Sequence, residues 1–181
     1  MSAANESEMP GGDMYDDDSG GGNAIPGLPP RPHRGWTFGE QPVGKRWSTS
    51  RRTITETDLV VYATQFGFAE GLFLDATAAE RAGYEGRLVP GSLVMSLAEG
   101  LIISGGAIAG TGVAYLGATV EVKGPTFVGD TLQVVAEVTA ARLTSRGDRG
   151  IVTTRNEVFN QHASLVMVYS PTRMVLCRHA D

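Results

Sequence analysis

Residues 84–106 read YEGRLVPGSLVMSLAEGLIISGG. A turn at Pro90-Gly91 feeds straight into a run that is apolar nearly all the way round, interrupted by Glu99 and a few Ser and Gly. Such a helix has to be enclosed by the rest of the domain rather than lie across its surface. Its first turn also carries backbone N–H groups without an intrahelical acceptor, a ready place for a carbonyl or an anion. The segment therefore predicts both the centre of the fold and the place where a ligand's polar group sits.

Upstream of this helix, Lys45 to Ile54 predicts a first strand, and Thr55 opens a helix. In TETD the acid Asp58 follows the hydroxyl cap by three residues. Leu59, Val60, Tyr62, Ala63 and Phe66 then form a broad apolar face that stops at Gly67. The loop GFAEGLFLD leads to a short helix, ATAAERAG, capped by Asp75 and ended by Gly83. Downstream of Gly106 the period changes from helical to two. Residues 112–123, 131–143, 150–160 and 163–177 read as strands, with Leu132, Val134, Ala136 and Val138 alternating with Gln133, Glu137 and Thr139. The separators VGD, SRGDRG and NQHA are turn chemistry. The fold class is α+β: a long antiparallel sheet wrapped around one central apolar helix.

A chain of 181 residues is enough for one domain with a real core. The formal charge of −5 is concentrated at one end. Residues 1–34 hold six acids against two bases, with six Gly and five Pro, and predict a disordered tail ahead of a single domain at 35–178. The remaining 14 acids and 13 bases leave that domain nearly neutral, with no electrostatic case for nucleic acid or anionic membrane. A lone cysteine, Cys177, leaves no internal disulfide and suits a reducing cytoplasm. No basic-then-apolar run opens the chain, so no signal peptide is read, and Glu99 with its Gly and Ser neighbours makes the central helix a poor membrane span.

In order and spacing these strings resemble the hot-dog fold in its MaoC-like branch of (R)-specific enoyl-CoA hydratases and hydroxyacyl dehydratases. RTITETDLVVYA is similar to that family's first strand and helix, and RLVPGSLVMSLAEGL to its loop and central helix. FVGDTLQVVAEV resembles its proline-glycine-aspartate turn and the strand after it, and RGIVTTRNEVFNQHASLVMVY its closing hairpin. The likeness runs from Trp36 to Cys177. It implies an acyl-CoA or acyl-carrier-protein thioester as ligand, no cofactor and no metal. It also implies a dimer that completes one sheet, with the site at the subunit interface; a homodimer is the default and a heterodimer with a second hot-dog protein the exception.

Two short motifs carry the family's chemistry, and both depart here. Where the family reads glycine-aspartate-x-asparagine-proline-x-histidine, this chain has Gly67, Phe68, Ala69, Glu70, Gly71, Leu72 and Phe73. Phe68 stands for the aspartate that activates water and Phe73 for the histidine. Where the family reads histidine-glycine at the start of the central helix, this chain has Pro90-Gly91. His33, His162 and His179 lie in the tail, the last hairpin turn and near the C-terminus, away from both motifs.

Syn hydration of an enoyl thioester needs a polarised carbonyl, a base for water and an acid at the α-carbon. Gly91 matches the family glycine whose N–H polarises the carbonyl; Pro90 has no N–H, so any second donor must come from Ser92 or elsewhere. Two carboxylates are near enough in sequence to replace the missing pair. Glu70, among Phe66, Phe68, Leu72 and Phe73, is a recast acid or base, or else a solvated loop residue paired with Arg81 or Arg87. Asp75 is either a second such group or the cap of the short helix. Phe68 and Phe73 make the site dry and narrow, which favours apolar acyl binding over a free water nucleophile. There is no CxxC, HExxH or phosphate loop.

Three readings follow: an acyl-thioester hydratase or dehydratase with an atypical site, a non-catalytic hot-dog subunit that binds acyl thioesters or partners an active homologue, and a thioesterase. Loss of both catalytic positions favours the second; retention of Gly91 and the scaffold keeps the first.

Overall fold

The computed structural model describes residues 35–178, so the tail expected at 1–34 lies outside the described residues. Within them the order is β1 (Arg46–Ser48), β2 (Arg52–Thr53), α1 (Glu56–Phe66), α2 (Gly71–Leu74), α3 (Ala76–Arg81), α4 (Gly91–Ser104), β3 (Gly112–Val122), β4 (Thr131–Leu143), β5 (Arg149–Phe159) and β6 (Leu165–Leu176), preceded by a 3₁₀ turn at Phe38–Glu40. The sheet runs β1-β4-β5-β6-β3, with β2 also paired to β4. Every pairing is antiparallel. The four long strands and the central helix lie where the periodicities put them.

The expected strand at 45–54 is two strands. At Thr49 the ladder becomes irregular: the Thr49 amide still donates to the Val134 carbonyl at 3.0 Å, but the Val134 amide donates to the Thr49 hydroxyl at 3.0 Å, and the Gln133 side chain donates to the Thr49 carbonyl at 3.0 Å. A side-chain oxygen standing in for a ladder carbonyl ends the regular register. Helix α1 starts and stops as read. Thr55 accepts from the Asp58 amide while Asp58 accepts from the Thr55 amide at 2.8 Å, and Gly67 closes the helix at φ 75°. Helix α2 falls inside the expected loop; the Glu70 carbonyl accepts from the Phe73 and Leu74 amides and turns GLFL into one helical turn.

Helix α4 lies on the concave face of the sheet. Leu93, Val94, Ala98, Leu101 and Ile102 are buried there against Val134, Val138, Val158 and Met167 in one continuous core. Each such aliphatic contributes about 2 kcal/mol when fully buried. The opposite stripe, Ser92, Ser96, Gly100 and Ile103, is exposed. Enclosure on all sides, expected from the composition, is therefore not met within one chain. The sheet curls round one side of α4 and ends at β3, whose eleven residues are all exposed.

One polar tie crosses this apolar layer. The Arg173 Nη2 donates to both oxygens of Glu99 at 2.5 and 2.7 Å, its Nε adds a bond of 3.2 Å, and its Nη1 reaches Thr154 at 3.3 Å. The Tyr169 hydroxyl donates to Glu99 at 3.1 Å. Burial, then the Glu99 carboxylate, push that hydroxyl far above the usual tyrosine range, so it remains a donor. This pair bolts α4 to β6.

Candidate functional site

The start of α4 is built by three crossing segments. Residues 87–89 pair with 126–128: the Val89 amide donates to the Thr126 carbonyl at 2.8 Å and the Val128 amide to the Arg87 carbonyl at 3.3 Å. That second segment is set by the turn Val128-Gly129-Asp130. Gly129 sits at φ 95°, and the buried Asp130 accepts from the Phe127 amide and the Gln161 side chain, both at 2.8 Å. The third segment is α2. Arg87, paired with Glu56, donates through Nε and Nη2 to the Phe73 carbonyl at 2.9 and 2.7 Å, and the Leu88 amide reaches the Leu72 carbonyl. Phe73 is thus held across the mouth of the turn.

Pro90 is the N-cap of α4 at φ −53°, ψ 134°, and its side chain supplies no capping bond. The Gly91 and Ser92 amides meet no acceptor among the described residues. Two peptide donors at a helix start, without the usual Ser or Asp to satisfy them, are an oxyanion-type arrangement. The first of them, at Gly91, borders an apolar slot of about 270 Å³ lined by Phe73, Tyr84, Leu88, Val122 and Met167 around Pro90 and Gly91. Position 91 is tight: a β-carbon there would stand 3.2 Å from the Val122 side chain.

The residues singled out from sequence divide in two. Pro90, Gly91 and Phe73 line the slot. Phe68 does not line it, but its ring makes tilted contacts 5.1 Å from Tyr62 and 6.4 Å from Phe73. Ser92 brings its amide to the helix start, but its side chain lies on the exposed stripe. Glu70 is exposed rather than enclosed by its aromatic neighbours, and does not line the slot. Asp75 is exposed and caps α3, accepting from the Thr77 amide at 2.9 Å and hydroxyl at 2.7 Å, with Arg81 at 3.4 Å. The Thr77 hydroxyl above all holds its carboxyl below the usual range.

Tyr84 is the one titratable side chain in the slot lining. Val122 and Met167 do not emerge from the sequence reading, because no local spacing records their approach to Gly91. Among the described residues no cluster of His, Cys, Asp or Glu is able to hold a metal ion, and no helix is long and apolar enough to cross a membrane.

Comparison with known proteins agrees with this layout. The family model described as the FAS1-like, dehydratase domain region matches residues 41–169, from the loop before β1 to Tyr169 on β6. The chain is 32% identical over 125 residues to the (R)-specific enoyl-CoA hydratase of Aeromonas caviae, covering 69% of this chain and 88% of that one. It is 30% identical over 124 residues to the mitochondrial 3-hydroxyacyl-[acyl-carrier-protein] dehydratase FERN of Solanum lycopersicum, covering 68% and 72%. The crystal structure of the MaoC-like dehydratase from Rhodospirillum rubrum superimposes with a TM-score of 0.71 at 22% identity, over 80% of this chain and 99% of that one, a likeness of fold. With the Pro90-Gly91 helix start and the sheet around α4 in place, the chain belongs to the FAS1-like dehydratase family, in its MaoC-like, hot-dog form.

Proposed function

We propose that the protein binds acyl thioesters of CoA or acyl-carrier protein at the start of α4 and acts on them as a hydratase or dehydratase with a recast site. The observation that carries this reading is the pair of unpartnered amides at Gly91 and Ser92, the first of them bordering an apolar slot. Those donors suit a thioester carbonyl, and the slot suits an acyl chain. The (R)-specific enoyl-CoA hydratase and 3-hydroxyacyl-[acyl-carrier-protein] dehydratase names of its relatives support the same chemistry. The lone Cys177 supports a cytoplasmic setting. The free edge of β3 supports a homodimer.

A second reading, a non-catalytic acyl-binding subunit, draws on a specific fact: the slot lining holds no carboxylate or imidazole, and Glu70 and Asp75 lie outside it. The same fact leaves thioester hydrolysis without a placed carboxylate. Purified protein with crotonyl-CoA and longer enoyl-CoAs, followed by loss of the enoyl thioester absorbance, decides between them. Turnover supports the hydro-lyase. Tight binding of the same thioesters without turnover, with activity gained only on adding a second hot-dog protein, sinks it in favour of the subunit.

A further inference from the structure

Besides Tyr84, the slot lining holds one polar side chain, the buried Thr126. Of the two, only the phenol is an effective general acid or base. Tyr84 is delivered to the slot by the end of α3. Gly83, at φ 84°, takes the left-handed turn that closes that helix; its amide donates to the Glu80 carbonyl at 2.9 Å and the Tyr84 amide to the Ala79 carbonyl at 3.1 Å. The chain then turns back toward α4, and the Tyr84 ring settles 6.4 Å from that of Phe127.

Phe127 and Glu85 line a second cavity of about 680 Å³, which shares Gly124, Pro125 and Val166 with the slot. Its other walls are polar, with Lys123, Asn160, Gln161, His162 and Ser164. Asn160 Oδ1 accepts from the His162 and Ser164 amides at 3.0 and 3.1 Å, which fixes the turn that carries them. A roomy polar cavity of this kind admits water. Tyr84 therefore stands at the border between an apolar slot and a wet cavity. At 38% exposure it is also open enough to trade its proton with solvent.

We propose that Tyr84 is the catalytic acid and base of this site, doing at the border of slot and polar cavity the work of the aspartate and histidine that Phe68 and Pro90 displace. This rests on the hydro-lyase reading above and deepens it by naming the group that moves the protons. With the thioester carbonyl held at Gly91, electron density drawn to its oxygen acidifies the α-carbon. In dehydration the phenol proton passes to the 3-hydroxyl as the C3–O bond breaks, and that oxygen leaves with its electron pair as water. The α-proton passes to the same phenol oxygen, and the C2–H electron pair becomes the second bond between C2 and C3. The phenol emerges unchanged, and no other reactant is consumed. Both protons move through one oxygen on one face of the substrate, so the elimination is syn. Hydration runs the same array backwards, with water drawn from the polar cavity.

The test sets turnover against binding in Tyr84→Phe, which keeps the ring against Phe127 and removes only the hydroxyl. Hydration of crotonyl-CoA gives kcat and KM; calorimetric titration with butyryl-CoA, which has no double bond to hydrate, gives affinity alone. Tyr84→Phe should melt with the wild type and bind butyryl-CoA within about twofold of it, while kcat falls by about a hundredfold or more. Wild-type kcat in Tyr84→Phe overturns the proposal and leaves the hydro-lyase reading standing. Equal losses in kcat and in butyryl-CoA affinity make Tyr84 a wall of the slot and overturn it as well. A wild-type protein that binds butyryl-CoA yet leaves every enoyl-CoA unchanged defeats the hydro-lyase reading, and the role of Tyr84 with it.

Discussion

A β-carbon at position 91 would stand 3.2 Å from Val122 Cγ2 and 3.9 Å from Met167 Cε, so a single methyl enters the slot rather than the helix core. Gly91→Ala should leave stability within about 1 kcal/mol of the wild type, since alanine is the better helix former, while acyl-thioester affinity falls. Thermal melting and calorimetric titration measured together separate the two effects. Asp75 gives the opposite pattern. Its carboxylate caps α3, so Asp75→Ala should lower the midpoint of denaturant unfolding with no change in thioester binding. Because its pKa is depressed, the cap's contribution is present above the ordinary carboxylate range and is lost only as pH falls through the folded-state value. The residue scale was partly legible: Gly91 follows from a motif position, whereas the exposure of Glu70 depends on how α2 folds over Arg87, which no local pattern announces.

Elements were read well wherever one period ran for ten residues or more and poorly where side chains competed with the backbone. Helix α1, with its Thr55–Asp58 box, and the long strands announce themselves. The split between β1 and β2 does not, because the Thr49 hydroxyl takes a ladder bond that a periodicity assigns to a carbonyl. The tie between α4 and β6 was also unreadable: Glu99 and Arg173 lie far apart in sequence, and Glu99 looks like a mere interruption of an apolar run. Arg173 is 5% exposed, so removing one partner leaves a buried charge. Glu99→Gln or Arg173→Met alone should cost about 3 kcal/mol or more in urea unfolding, and the double change Glu99→Leu/Arg173→Met should cost clearly less than the sum of the two. Additive losses would show that the pair is not a unit.

At the scale of the molecule, the single chain is unfinished on one side. The exposed stripe of α4 and the apolar row of β3 adjoin the same open edge, and both are covered if the sheet continues into a second copy. Val120→Lys with Leu116→Lys should convert a wild-type dimer into a monomer by sedimentation and lower thioester binding along with it. A wild-type monomer would remove the basis for pairing through β3. The sheet-around-helix architecture was legible because it follows from the order of elements. The walls of the slot were not, since Phe73, Val122 and Met167 converge on Gly91 from three separate segments.

Pro90 changes more than the catalytic inventory. A histidine at the helix start titrates within the physiological range, so its charge, and any ligand hold that depends on it, drifts with acidity. Peptide N–H groups have no such transition, and the Gly91 and Ser92 amides are present in the same form at every pH the fold survives. A carbonyl held there, as we propose, is held by groups that are blind to protons, and any pH dependence of its binding would originate elsewhere than at the helix start.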